Sequence, residues 1–152
     1  MRDIIDTVTS RIPPSWFLGA PEVTVDDDEI LCIGRLAETT DPTEFRERSR
    51  AQRVEIAQAI ERLYRRSVSW GVDVGDKRII FTSQSTPVMT RLKMSERLVL
   101  DTLVHSGVAR SRSDALQWCV KLVGKHEAEW LNELQGVLED VRKVRSEGPT
   151  VP

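Results

Sequence analysis

The stretch Val88–Val123, VMTRLKMSERLVLDTLVHSGVARSRSDALQWCVKLV, decides how this chain is organised. Val88–Lys93 is short and extended in character. Ser95–Ser106 predicts a helix, with Leu100, Leu103 and Val104 at i, i+3 and i+4 and Val99 widening the stripe. Gly107 stands where a left-handed helix cap is needed. Ser111 opens a second helix, with Asp114 three residues on as a capping pair. Its stripe is Ala115, Leu116, Cys119, Val120 and Val123, and Gly124-Lys125 kinks or ends it. One strand and two such helices cannot fold alone. The strand leaves its backbone N–H and C=O groups unpaired, and the helices have too little core of their own. A two-fold homodimer repairs both defects: each copy supplies one strand to an antiparallel ribbon, and four helices share one core.

A two-stranded ribbon fits the major groove of DNA. Side chains alternate along a strand. With Thr90 and Leu92 turned inward, Met89, Arg91 and Lys93 turn outward. Two copies then present four long cationic donors to base edges and phosphates. Ser111, Arg112 and Ser113, at the start of the second helix, add backbone N–H groups and hydroxyls suited to a phosphate.

The segment 88–123 resembles the ribbon-helix-helix DNA-binding domains of MetJ/Arc/CopG-type repressors. The matching features are Arg91-Leu92 on the strand, Leu100-Asp101-x-Leu103-Val104, Gly107, and Ser111-Arg112-Ser113-Asp114-Ala115. The resemblance implies that the strand reads bases through Met89, Arg91 and Lys93. It also implies that Ser111, Arg112 and Ser113 grip phosphate. It covers about a quarter of the chain. In most members the strand lies near the N-terminus, whereas residues 1–87 precede it here.

Those residues read as a separate unit. Residues 1–21 hold Pro13, Pro14 and Pro21 without a clear period and are expected to be an irregular lead-in. Val23, Val25 and Ile30–Leu36 predict two strands around the acidic turn Asp26–Glu29. Asp41, Pro42 and Glu44 mark a helix start. The helix runs to about Arg66, its stripe made of Ile56, Ile60 and Leu63 with Val54, Ala57 and Tyr64 beside it. Ser67–Val74 alternates as a strand, Gly75-Asp76 turns, and Lys77–Thr82 returns. The expected fold class is α+β: a ββαββ unit over residues 22–84, a dimerising ribbon-helix-helix (βαα) over 88–124, and a C-terminal amphipathic helix over 126–146. That last helix carries Trp130, Leu134, Leu138 and Val141. It is expected to extend the dimer interface or to dock on the N-terminal unit.

Composition sets the outer limits. The 152 residues carry 22 Lys and Arg against 24 Asp and Glu, a formal net charge of −2, which excludes a globally basic nucleic-acid binder but not a local patch. Residues 1–41 hold three basic and nine acidic side chains, whereas residues 88–126 hold seven basic and three acidic. The cationic charge is therefore concentrated where the ribbon is expected. Arg46, Arg50 and Arg53 make the helix at 42–66 a possible second DNA surface, but pairing with Glu44, Glu47 and Glu55 accounts for them. No apolar run reaches the ~20 residues of a membrane span. The N-terminus is not a signal peptide, so a cytoplasmic address is expected.

Other chemistries find little footing. The two cysteines, Cys32 and Cys119, have no metal or disulfide spacing. Each falls in an apolar run and reads as a small buried hydrophobe, and His105 and His126 sit near helix ends. Asp26–Glu29 lacks an EF-hand pattern and reads as a solvated turn rather than a cation loop. Trp70 and Trp130 lie on apolar stripes and are expected in cores; Trp118 lies off its stripe; with Trp16 they could otherwise stack on single-stranded nucleic acid. No glycine-rich phosphate loop, paired catalytic carboxylates or metal triad is present. No cofactor and no enzymatic activity are expected. The function expected is a dimeric regulator that binds double-stranded DNA sequence-specifically, the N-terminal unit holding a sensor or protein partner. The alternative is a dimeric adaptor or antitoxin-like module that keeps the fold without reading DNA.

Overall fold

The computed structural model describes residues 2–148 and divides into two compact units, Met1–Val88 and Met89–Pro152. The fold class is α+β, with five helices and one four-stranded sheet among the described residues.

The first unit begins with a helix, α1 (Arg2–Arg11), where an irregular lead-in was expected. Ile4, Val8 and Ile12 recur every four residues and are all buried in the main core. Asp3, Thr7 and Thr9 weaken the local helical signal, so packing of that stripe supplies the stability. Pro13-Pro14 then stops the helix. The following residues remain irregular, yet they are tied down: the Leu18 N–H donates to the Arg35 carbonyl at 2.9 Å.

The sheet has the order β1-β2-β3-β4, from β1 (Glu22–Val25), β2 (Glu29–Leu36), β3 (Ser67–Val74) and β4 (Lys77–Ile80). Two antiparallel hairpins are joined by a parallel β2–β3 pair that sets Ile30 beside Val68 and Leu36 beside Val74. Parallel neighbours need a long crossover, and α2 (Pro42–Tyr64) is that crossover. Asp41 caps it, accepting from the Thr43 N–H at 2.8 Å, and Pro42 occupies the first turn. At the tip of the β3–β4 hairpin, Gly75 takes φ +56°, the left-handed conformation such a turn requires.

Helix α2 buries Phe45, Ser49, Arg53, Ile56 and Ile60, spaced four, four, three and four. Leu63 and Val54, expected on the core stripe, are exposed. Two polar residues hold the inward face instead. Arg53, only 6% exposed, donates from Nε to the Ser49 hydroxyl (3.0 Å) and from Nη2 to the Arg46 carbonyl (2.8 Å). Its guanidinium lies 5.1 Å from the centre of the Phe81 ring, a cation–π contact. Burial holds its pKa below the usual guanidinium value, with the nearby Arg46 charge adding to the effect. Arg53 is thus part of the core and no DNA ligand, and its partners are not the carboxylates expected.

An aromatic cluster closes the sheet face. Trp16 meets Phe45 edge-on at 5.7 Å, Trp70 at 6.1 Å and Phe17 at 6.0 Å, and Phe45 stacks tilted on Phe81. Gly34 admits Phe17 onto β2: a Cβ there would lie 2.2 Å from the Phe17 ring. Gly34→Ala is therefore expected to displace Phe17 and to cost about 1–3 kcal/mol. A lower urea midpoint would register it; a midpoint equal to the parent's would mean that Phe17 does not cover this strand.

The second unit comprises α3 (Met94–His105), α4 (Arg112–His126) and α5 (Ala128–Glu147). Its buried core is small: Leu100, Ala109 and Ala115, with Leu92, Leu103, Val104, Leu116 and Cys119 half-buried around them. Gly107 takes φ +79° and ends α3, while the Val108 N–H reaches back to the Leu103 carbonyl at 3.0 Å. Gly124 neither ends nor interrupts α4, which continues to His126. Val88–Lys93 makes no ladder with β1–β4 and has no regular secondary structure in the single chain. Thr90, expected to point inward, is exposed.

Candidate nucleic-acid interface

Two short stretches of the second unit carry the residues singled out for DNA. Met89 is 95% exposed, and Arg91 and Lys93 are exposed beside half-buried Leu92. Leu92 anchors the stretch by packing on the Leu100 cluster. Arg97 adds a second anchor, donating from Nη1 to the Leu92 carbonyl at 2.7 Å. Lys93 stands at the N-cap of α3, where the Glu96 carboxylate accepts from its backbone N–H. The single chain thus fixes one end of Val88–Lys93 and leaves the side chains other than Leu92 to solvent.

The start of α4 is built reciprocally. Ser111 Oγ accepts from the Asp114 N–H at 3.2 Å, and Asp114 Oδ2 accepts from the Arg110 N–H at 2.9 Å. The Asp114 carboxylate, in the third helical position, thus reaches past the N-cap to the N–H of the residue before it. It leaves the N–H groups of the first turn at the helix N-terminus, where the macrodipole favours an anion. Ser111, Arg112 and Ser113 are all exposed there.

Arg112 has a partner that no reading of the sequence supplied. Its Nε and Nη2 bind Asp101 Oδ1 and Oδ2 at 2.7 and 2.8 Å, a bidentate bridge from α4 to α3. Asp101 lies eleven residues away, too far for a helical spacing to reveal. Arg112 is therefore engaged within the single chain, with part of its charge already answered. Arg110, directly before the cap, was not singled out; its side chain is 96% exposed. Its signal lay in the sequence as one more cation before Ser111.

The Arg112 guanidinium holds the Asp101 carboxyl below the usual carboxylate range, and Arg78 does the same to Asp73 in the first unit. A carboxyl whose folded pKa lies below its unfolded value, near about 4, adds stability above that value. The contribution disappears as pH falls through the lower folded value. Stability is thus expected to drop below about pH 4, and the pair Asp73→Asn and Asp101→Asn to flatten the drop. Urea midpoints across the acid range check this, and an unchanged slope in the double variant would contradict it.

The remaining candidates resolve differently. Cys32 is buried, which pushes its thiol up to about 12, so it is no nucleophile. Asp26 turns its carboxylate on the N–H groups of Asp28 and Glu29, at 2.8 and 2.6 Å, and these bonds hold its pKa below the ordinary range. Among the described residues no group of three or more His, Cys, Asp or Glu is arranged to hold a metal. Trp70 is in the core as expected, but Trp130 is 55% exposed in the single chain, and Trp118 is also exposed. No helix among the described residues is long and apolar enough to cross a membrane.

Residues 2–80 match the family described as Rv1265-like protein, N-terminal domain, and residues 93–145 match the Mb1296 C-terminal domain. The chain belongs to the Rv1265-like family. The protein Rv1265 of Mycobacterium tuberculosis is 49% identical over 154 residues, covering 93% of this chain and 68% of the relative. Mb1296 of Mycobacterium bovis gives the same figures. Both relatives are described as uncharacterized. No solved structure matches the chain significantly. The two matched segments divide near the boundary between the two compact units at Val88.

Proposed function

We propose that this protein is a dimeric DNA-binding regulator of the ribbon-helix-helix type, working in the cytoplasm. In this reading Val88–Lys93 of two copies pair in the major groove. Met89, Arg91 and Lys93 read base edges, and Ser111, Arg112 and Ser113 hold flanking phosphates. The observation that supports it is the state of the second unit. Among the described residues, fifteen of the twenty large apolar side chains left exposed lie at residues 89–148, around a buried core of three residues. Apolar surface on that scale marks an interface. An extended cationic stretch held at one end by Leu92 suits a strand that completes its ladder in a second copy.

The bidentate hold of Asp101 on Arg112 favours a positioning role for that side chain, with the backbone N–H groups of the turn as the phosphate ligands. The N-terminal unit, with its own core, supplies the surface for an effector or a protein partner. The adaptor reading has one observation in its favour: three basic against nine acidic side chains in residues 1–41, which would oppose a polyanion nearby.

Fluorescence anisotropy of the full chain against a pool of genomic duplexes tests the proposal. Phosphate contacts release counterions, so affinity for a selected duplex should fall steeply with salt. Binding that is absent, or insensitive to salt, would favour the adaptor.

A further inference from the structure

Helix α5 buries none of its residues in the single chain. Trp130, Leu134, Val137, Val141 and Val144 follow one another at spacings of four, three, four and three. That is the period of a coiled-coil seam. The five residues occupy positions d, a, d, a and d of a heptad. All are between 42% and 68% exposed, and Leu138, at e, is exposed beside them. Leu131 and Leu138 at e widen the seam, as on an amphipathic helix packed against a body, but such a helix buries members of its stripe within its own chain and α5 buries none.

The flanking positions select the occupant. Glu133, Asp140 and Glu147 fall at g, whereas Leu131, Leu138 and Arg145 fall at e. In an antiparallel pair of identical helices g faces g, which would set acidic rows against each other. In a parallel pair each g faces the e position five residues further along the other helix. Glu133 then meets the apolar edge at Leu138, and Asp140 meets Arg145 of the second copy, twice by symmetry. Like charges in register repel, and opposite charges set orientation. We propose that α5 pairs with α5 of a second copy of this chain as a parallel, in-register coiled coil. The pairing does not require Val88–Lys93 to read DNA; it adds a second zone of self-association within the same unit.

Sedimentation of the full chain and cysteine cross-linking test it together. Leu134→Asp with Val141→Asp places four charges in the seam and is expected to weaken self-association about a hundredfold or more. Both side chains are exposed in the single chain, so the far-UV circular dichroism of the first unit should persist. Independently, Val144→Cys in a Cys119→Ala background should form an intermolecular disulfide under mild oxidation, and the background alone should not. A parallel, in-register pair sets the two copies of position 144 side by side, whereas an antiparallel pair overlapping along the seam sets them about 20 Å apart. A parent that sediments as a monomer overturns the inference, as does a double variant that associates as tightly as the parent, or an absent disulfide. A chain that fails to cross-link yet still binds duplex DNA leaves the ribbon reading standing. One that cross-links but binds no DNA does the reverse.

Discussion

Replacing Arg91 and Lys93 together by alanine is expected to abolish most of the affinity for duplex DNA while leaving the fold intact. Both side chains project into solvent, and nothing in the core rests on them. In a two-fold ribbon each substitution counts twice. An arginine bidentate to guanine contributes about 1–3 kcal/mol, so two copies of Arg91 alone amount to about thirtyfold to twenty-thousandfold. Each substitution also removes a positive charge from beside the phosphates, so the double variant should lower the slope of log affinity against log salt by about one per cation lost. Anisotropy titrations at two salt concentrations separate these effects. If the double variant binds a selected duplex like the parent, the ribbon is not the reader. Arg91→Lys is a useful companion: it keeps the charge and loses the planar fork. It should cost discrimination between duplexes more than overall affinity.

Phe45→Ala is expected to be the most damaging single change to the first unit. Phe45 is 1% exposed and touches Trp16, Phe17 and Phe81, so the cavity would lie at the centre of the aromatic cluster. Buried Phe→Ala changes cost about 3–5 kcal/mol, against a total of about 5–15 for a domain. For a unit of this size that corresponds to a fall in Tm of the order of 15–30 °C. Tryptophan fluorescence offers a direct monitor, because Trp16 and Trp70 report on this cluster. A loss below about 1 kcal/mol would show that the cluster repacks, and that Trp16 rather than Phe45 is its centre.

Where sequence and structure part company, the cause is packing that no local pattern reports. The ββαββ order was legible because alternation, a turn glycine and a capped helix start are local signals, and each is visible in β1–β4 and α2. Helix α1 was hidden because Asp3, Thr7 and Thr9 weaken local propensity, while Ile4, Val8 and Ile12 gain their stability from a sheet that is completed only later in the chain. Arg53 was read as a surface cation. No hydrophobicity pattern can announce a guanidinium that finds a hydroxyl, a carbonyl and a ring face inside the core. Arg112 is the same lesson at the candidate site, because its bridge to Asp101 exists only once α3 and α4 are folded against each other.

In the second unit the division falls elsewhere. The caps at Ser111 and Gly107 and the apolar period of α5 were determined by the residues themselves, because caps and periods are local properties, whereas Gly124 did not mark the end of α4. Tertiary structure decided what those local patterns bury. It closes a core of only Leu100, Ala109 and Ala115, and leaves the outer faces of α4 and α5 in solvent. The physical reason is geometric: three short helices from one chain enclose too little volume to hide every apolar stripe they carry.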